Sequence, residues 1–167
     1  MSASLKHPGA HLWLSEMFEA SALLSAILRV IHPALYECGR ETIQRLHQHA
    51  ELQPALEKWP SVFNAVTILS NRETPLHRDN HSRPQWYDML TPVGPYQQAV
   101  LDLPGVGLKL AYESGTVVGL SGKVLRHGVK ACDGERICLA YYMRDKVHER
   151  MGTEAGQWMK QRHYENV

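Results

Sequence analysis

Three side chains in two separate stretches of the sequence could together hold a transition metal. The first stretch, Asn71 to Asn80, contains His77 and Asp79, and the second, Leu125 to Met143, contains His127. In an extended segment residues i and i+2 point to the same face, so the first imidazole and the carboxylate can aim at one point. Two imidazoles and one carboxylate form the facial triad that holds non-heme Fe(II) and leaves positions open for a co-substrate and O2.

An arginine that follows the second histidine favours iron over other metals. Arg136 begins a predicted strand and would share a face with Cys138 and Ala140, whose small side chains leave room for a bound molecule. A guanidinium is the natural bidentate partner of a carboxylate on an iron-chelating co-substrate. Zinc accepts the same three ligands but gives no use for Arg136. The structural alternative for this arginine is a surface salt bridge.

The position of His127 adds weight to a pattern that is weak by itself. A His-x-Asp sequence in a chain with 10 histidines arises easily by chance. His127 is expected to share an inward face with Leu125 and Val129, while Arg126 and Gly128 alternate outward. Because a buried imidazole without a partner is costly, we expect it to be a ligand or to be hydrogen-bonded.

Length and composition predict one globular domain. The chain has 167 residues, of which 44% are hydrophobic and 21% charged, and its net charge of +1 indicates no global attraction to nucleic acid. No apolar run approaches the ~20 residues needed to cross a bilayer. The first residues lack the order of a signal peptide, and three cysteines without metal-like spacing favour a reducing, intracellular compartment.

Helical periodicity occupies the first third of the chain, and short strands follow it. Helices are predicted at 14–31, with Ser15 as N-cap, and at 33–52, with Pro33 in the first turn. Strands are predicted at 61–69, 96–103, 106–112, 115–120, 124–129 and 136–143, with a loop or irregular strand at 84–95 and turns at 121–122 and 133–134. The tail after residue 146 is polar and partly helical.

This order of elements predicts an α+β fold. Helices followed by many short strands indicate a double-sheet jelly roll, a double-stranded β-helix of cupin-like type, buttressed by the N-terminal helices. We expect a single domain 1–167, divided into helical support at 1–60, a jelly-roll core at 61–145 and a C-terminal tail at 146–167.

Residues 61–150 carry a set of motifs that resembles a known family. Arg72 lies five residues before His77, the His-Arg-Asp core follows, and Arg136 precedes the sequence ICLAYYMR. Together with His127 these motifs resemble the Fe(II)- and 2-oxoglutarate-dependent dioxygenases of the TET/JBP group, which oxidise the methyl group of 5-methylcytosine or thymine in DNA.

The resemblance implies a role for each matching residue. Iron would lie on His77, Asp79 and His127. Arg136 would bind the distal carboxylate of 2-oxoglutarate, with Arg72 assisting, and Tyr142 would flank a flipped base. The implied cofactors and co-substrates are Fe(II), 2-oxoglutarate and O2, with ascorbate as a reductant in vitro.

Two positions depart from the family pattern. Cys138 stands where the family commonly has serine, and a thiol is a weaker hydrogen-bond partner. Arg144 stands where a base-reading histidine is expected. The polar candidates for reading the base are Arg144, Asn80 and Ser82. Core packing is the structural alternative for Tyr142, because it and its neighbour Tyr141 cannot both face inward.

The resemblance also implies partners and leaves alternatives open. Methylated DNA is the expected substrate, and RNA is the nearest alternative; neither a membrane nor an obligate protein partner is indicated, and a DNA substrate implies nuclear residence. Other readings are the same chemistry on another base or a small molecule, and a non-catalytic domain that binds modified DNA. Basic residues near the expected site mouth could contact phosphates: Lys6, Arg72, Arg78, Arg83, Lys123, Arg126, Lys130, Arg144 and Lys146.

Overall fold

The computed structural model describes residues 3–164 of the chain. The chain forms two compact units, one made of residues 1–64 and 146–167 and the other of residues 65–145. The described helices before residue 65 belong to the first unit and the strands to the second, and the division into support, core and tail stays a prediction. Within the described residues no helix is long and apolar enough to span a membrane.

The helices lie at the two ends of the chain. They are α1 (Pro8–Glu16), α2 (Phe18–Ile31), α3 (Pro33–Leu46), α4 (Gln53–Leu56) and α5 (Asp145–Met151). Short 3-10 segments cover Ala3–Lys6, Ala50–Leu52, Pro104–Val106 and Gln161–His163.

Three details of the predicted helices are wrong and one is confirmed. The first helical stretch begins earlier, at Pro8, because the imidazole of His7 caps it by accepting a hydrogen bond from a backbone N–H. Ser15 is therefore not a cap, and its hydroxyl donates to a carbonyl inside α1. Pro33 is confirmed in the first turn of α3, where its missing N–H costs nothing. That helix ends at Leu46 rather than at residue 52.

Among residues 3–164, ten strands form two four-stranded sheets and one small pair, all antiparallel. They are β1 (Ala65–Ser70), β2 (Thr74–His77), β3 (Asp88–Val93), β4 (Tyr96–Gln97), β5 (Val100–Leu103), β6 (Leu108–Ala111), β7 (Val118–Leu120), β8 (His127–Val129), β9 (Asp133–Gly134) and β10 (Ile137–Tyr142). The sheet orders are β1-β10-β3-β7 and β2-β8-β5-β6, and β4 pairs with β9.

One hydrophobic cluster contains residues from both four-stranded sheets. Leu101 of β5 and Val129 of β8 come from one sheet, and Leu120 of β7 and Cys138 of β10 come from the other. Tyr112, which follows β6, is fully buried in the same cluster. Two antiparallel sheets that share one apolar core form the predicted double-sheet jelly roll.

Some strand predictions need correction. Residues 88–93, expected to be a loop or irregular strand, form β3, which pairs with both β10 and β7. The expected turn at Asp133–Gly134 is a short strand paired with β4. Gly128 is buried rather than outward-facing, because the backbone of β2 lies against it.

Candidate functional site

The pairing of β2 with β8 brings the two predicted histidine ligands together. His77 and His127 are register partners across these strands, and their ring centroids are 4.4 Å apart. Asp79 follows β2, with one carboxylate oxygen 3.5 Å from Nε2 of His77 and the other 3.7 Å from Nε2 of His127. Ligand atoms from all three residues lie within 4.8 Å of one another. The structure thus brings His127 next to His77 and Asp79, which lie in a separate stretch of the sequence.

Backbone carbonyls fix both imidazoles in the form that a metal needs. Nδ1 of His77 is 2.9 Å from the carbonyl oxygen of Pro75, and Nδ1 of His127 is 2.9 Å from that of Leu125. Because a carbonyl oxygen only accepts, each Nδ1 carries a proton, and Nε2 is the nitrogen of each ring that can bind a metal. Such second contacts are what orient histidine ligands in metal sites. The donor set therefore fits Fe(II).

The site is buried on one side and accessible on the other. The side chain of His127 is 7% exposed, whereas those of His77 and Asp79 are 41% and 39% exposed. An ion held by these three groups would consequently have protein on one side and open positions on the other, as a facial triad requires.

Behind Asp79 lies a second carboxyl group that sequence reasoning missed. Asp88 is buried at the start of β3 and is hydrogen-bonded to Asp79 and to the N–H of Gly122. Burial, and then the charge of Asp79, raises the pKa of Asp88 to about 8. The N–H of Asp79 donates to the carbonyl of Gly122 at 2.9 Å, so this glycine lies between the two carboxyl groups. An aspartate opening the apolar run DMLTPV was the available signal.

Arg136 lies inside the strand unit and not at its surface. It is 4% exposed, and its Nη2 donates to the carbonyl of Arg72 at 2.7 Å. Its backbone N–H donates to the Asn71 side chain, and its carbonyl accepts from the Asn71 N–H. Among residues 3–164 no carboxylate lies within ion-pair distance of this guanidinium. A buried cation without a counter-charge is costly, so the surface salt bridge is excluded and an anionic ligand is favoured.

Two predicted partners of Arg136 are close to it, in different ways. Arg72 contacts it through the backbone carbonyl, and the Arg72 side chain belongs to an exposed residue. Cys138 is buried, and burial raises the pKa of its thiol by more than the hydrogen bond with Tyr112 and the charge of Arg136 lower it. The thiol therefore stays neutral beside the guanidinium.

Two of the predicted base-contacting residues, Tyr142 and Arg144, lie at the end of β10 and just after it. Tyr141 is buried and Tyr142 is half-buried, which resolves which of the two faces the core. The hydroxyl of Tyr142 accepts from Arg144 at 3.2 Å and from Thr67 at 3.3 Å, and the guanidinium of Arg144 lies 5.8 Å from its ring centroid. This phenol is therefore held by polar neighbours rather than packed in the core.

Asn80 and Ser82 follow Asp79 in the same turn. The carbonyl of Asn80 accepts from Nζ of Lys123 at 2.8 Å, and the N–H of Ser82 donates to the carbonyl of Asp79 at 3.2 Å. Within the described chain the buried Ser82 hydroxyl has no hydrogen-bond partner. A buried hydroxyl without a partner next to the triad is available to a ligand.

The basic residues proposed for phosphate contact divide into different groups. Arg78 donates to the carbonyl of Val124 at 3.1 Å, which places it and Lys123 beside the Asp79 turn. Arg83 instead forms an ion pair with Asp145 and lies over the Trp86 ring. Lys6 and Lys146 belong to the helical unit.

Comparison with protein families identifies the chain. The model of the Tet/JBP family, described as the oxygenase domain of the 2OGFeDO superfamily, matches residues 4–145. The chain belongs to the Tet/JBP family. The resemblance carried by the motifs is thereby confirmed, and the chain is an oxygenase domain of the 2OGFeDO superfamily, a superfamily of oxidoreductases that use Fe(II) and 2-oxoglutarate.

A solved structure shows the same fold. The structure of NgTET1 in complex with 5mC DNA is similar to this Tet/JBP domain, with a TM-score of 0.64 and 20% sequence identity. The match covers 88% of this chain and 56% of that one, so the chain spans little more than half of that protein's length. The predicted double-stranded β-helix core is confirmed. Curated proteins gave no significant sequence match.

Proposed function

We propose that this Tet/JBP domain oxidises the methyl group of 5-methylcytosine in DNA to the hydroxymethyl form, with the base flipped out of the duplex. The observation that carries the proposal is the convergence of His77, Asp79 and His127, whose ligand atoms lie within 4.8 Å of one another. The similar fold of NgTET1, solved with 5mC DNA, supports the choice of substrate.

In this proposal the three converging residues hold Fe(II). His77 and His127 each present an Nε2 lone pair, because their Nδ1 protons are engaged by backbone carbonyls. Asp79 adds a negative charge, and its orientation is maintained by Gly122 and Asp88. Iron held by these residues would couple the reduction of O2 and the decarboxylation of 2-oxoglutarate to the oxidation of a methyl group.

Arg136 is the proposed anchor for the co-substrate. Its guanidinium has no carboxylate partner among the described residues, and the distal carboxylate of 2-oxoglutarate would provide one. The carbonyl of Arg72 holds one guanidinium nitrogen in place. Cys138 lines the same region as a neutral group, and its small size leaves room for the ligand.

The substrate base would be held on the open side of the triad. A base inside a duplex cannot reach a buried metal, so it must leave the stack and be held by stacking and by hydrogen bonds to its edge. Tyr142 offers an aromatic face, and Arg144, Asn80 and Ser82 offer polar groups. Arg144 in place of a family histidine makes base identity the feature to test first, with thymine, methylated RNA and small molecules as the other substrates.

The decisive experiment is product analysis. The protein is incubated with methylated duplex DNA, Fe(II), 2-oxoglutarate and ascorbate, and the nucleosides are quantified by mass spectrometry in parallel with thymine-containing DNA and methylated RNA. Hydroxymethylcytosine that disappears in His77→Ala and Asp79→Ala variants supports the proposal. Iron binding without succinate release on any of these polymers would instead identify a non-catalytic binding domain. Imaging of the tagged protein tests the nuclear residence that a DNA substrate implies.

A further inference from the structure

A second polar group shares the interior with Arg136 and has no place in the roles assigned so far. Tyr112 follows β6 and is 0% exposed. Its hydroxyl lies 3.4 Å from the thiol sulfur of Cys138. Arg136 directly precedes β10 and Cys138 is the second residue of that strand, so the two residues lie on the same face of an extended segment. The phenol and the thiol therefore form a polar contact inside the hydrophobic cluster, and the charge of Arg136 acts on both groups.

The hydrogen bonding of this phenol is incomplete. Among residues 3–164 the sulfur of Cys138 is the sole hydrogen-bond partner of the Tyr112 hydroxyl. A thiol is a weak donor and a weak acceptor, so this contact compensates poorly for removing a phenol from water. Tyr96, in the same cluster, is the contrasting case, because its hydroxyl donates to the backbone carbonyl of Tyr112 at 2.7 Å. The fold gives the Tyr96 hydroxyl a carbonyl acceptor, whereas it gives the Tyr112 hydroxyl only the contact with a thiol.

The charge of Arg136 affects the pKa of the Tyr112 hydroxyl. Burial raises the pKa of Tyr112 far above its usual range, Cys138 raises it further, and the guanidinium opposes both. The phenol therefore remains a neutral O–H donor at every physiological pH, within the electrostatic influence of a cation that has no carboxylate partner among residues 3–164. A carboxylate bound by Arg136 could accept a second hydrogen bond from the Tyr112 hydroxyl.

We propose that Tyr112 is a specificity-determining residue of the co-substrate pocket, donating its hydroxyl hydrogen bond to the carboxylate that Arg136 binds. The inference rests on the proposed 2-oxoglutarate site and assigns it a residue on β6's C-terminal side, remote from all the motifs in the sequence. A thiol at position 138 is only a weak hydrogen-bond donor, and the Tyr112 phenol would supply the strong neutral donor that this pocket otherwise lacks.

The test is binding of two ligands that differ in the distal carboxylate. Affinities of the Mn(II)-loaded protein for 2-oxoglutarate and for 2-oxobutyrate, which lacks that carboxylate, are measured by titration calorimetry for the parent and for Tyr112→Phe. Loss of one hydrogen bond to a charged group is expected to weaken 2-oxoglutarate binding about 10- to 100-fold. Binding of 2-oxobutyrate is expected to remain the same. In turnover assays the KM for 2-oxoglutarate should rise while the KM for DNA stays constant.

A matched control removes the same atom from the neighbouring phenol. Tyr96→Phe deletes a hydroxyl whose hydrogen bond serves the backbone, so it should lower thermal stability without changing the preference for 2-oxoglutarate over 2-oxobutyrate. Equal affinity of Tyr112→Phe and parent for 2-oxoglutarate would overturn the inference, as would an equal loss for both ligands, which indicates a distorted pocket.

The unaltered protein provides a further measurement if Tyr112→Phe does not fold. Donation from a phenol to a carboxylate perturbs tyrosine absorbance, so 2-oxoglutarate should produce a difference spectrum that 2-oxobutyrate does not. Identical spectra with both ligands would contradict the inference. A parent protein that binds 2-oxoglutarate but shows no role for Tyr112 rejects this inference alone, whereas a metal-loaded parent that binds neither ligand rejects the proposed function.

Discussion

At the scale of single residues, Gly122 determines where the Asp79 carboxylate can lie. A Cβ atom at this position would be 2.1 Å from Oδ2 of Asp79 and 2.6 Å from Oδ2 of Asp88. A side chain at residue 122 would therefore displace one or both of these carboxyl groups. The metal-ligand geometry therefore depends on a residue that has no side chain.

Gly122→Ala should displace Asp79 and weaken metal binding. Loss of a group that orients a ligand typically costs about 10- to 100-fold in metal affinity, and we expect an effect of this size in Fe(II) or Mn(II) titrations. Gly105→Ala is the matched control, because nothing lies within 4 Å of a Cβ there. Unchanged metal affinity in Gly122→Ala would show that Asp79 has more freedom than the structure indicates.

Asp88 should make the stability of the metal-free protein depend on pH. Its pKa is about 8 in the folded state, against about 3.9 for an unperturbed aspartate. Below both values the proton is bound in both states and nothing is lost. As pH rises between them, only the unfolded chain releases its proton, so the free energy of unfolding falls, and above about 8 the loss is complete.

Asp88→Asn should remove this contribution. Urea unfolding at about pH 5 and about pH 8 is expected to show a smaller fall in stability for the variant than for the parent. Asp133→Asn, which alters an exposed aspartate of β9, serves as the control and should keep the parental slope. A parental slope in Asp88→Asn would assign the pH dependence to other groups.

At the scale of elements, the pairing of β2 with β8 positions both histidine ligands. Gly128, next to His127 in β8, is buried against β2, and a Cβ there would lie 2.8 Å from the carbonyl oxygen of Thr74 and 3.0 Å from the nitrogen of Leu76. Both are backbone atoms, which cannot rotate away. The strands therefore approach each other only because this residue is glycine.

Gly128→Ala should separate these strands and lower stability by about 1–3 kcal/mol, the usual cost of overpacking. Because His77 faces His127 across the same pair, metal affinity should fall as well. Urea unfolding and metal titration measure the two effects. Gly105→Ala should stay within about 0.5 kcal/mol of the parent, and parental stability in Gly128→Ala would mean that the strands can part without cost.

At the scale of the whole molecule, the net charge and the local charge near the site have different consequences for DNA binding. A net charge of +1 provides no general attraction to DNA. Arg78 and Lys123, however, are held beside the Asp79 turn by hydrogen bonds to the carbonyls of Val124 and Asn80. Phosphate binding by this domain should therefore depend on a few placed cations.

Arg78→Ala should weaken DNA binding and reduce its salt dependence. Each phosphate contact contributes about 0.9 to the slope of log K against log salt, so one lost contact should lower that slope by about 1. Fluorescence anisotropy with methylated duplex across a salt series measures it. Lys109→Ala makes the same change of charge on exposed β6, at the opposite edge of the sheet from β2, and should leave the slope unchanged. Equal slopes in both variants would argue against Arg78 as a phosphate contact.

How much could be predicted from the sequence depended on whether an interaction was local. His77 and Asp79 could be paired because strand periodicity over two residues is a local property. The break between α1 and α2 at Met17 was missed because apolar periodicity continues through it. The start of α1 was missed because it depends on the cap that His7 provides. The strand at Asp133–Gly134 was missed because turn residues can also pair when a distant strand is available.

The sequence by itself determined the types of group that this protein can bring to a site: imidazoles, a carboxylate and a guanidinium on predicted strands. Only the tertiary structure decided that β2 and β8 pair so that the imidazoles meet, that Arg136 is buried with no carboxylate partner in the described chain, and that Asp88 and Tyr112 lie next to them. The reason is physical. Local spacing fixes the face on which a side chain lies, whereas sheet register and burial arise from contacts between segments far apart in the chain.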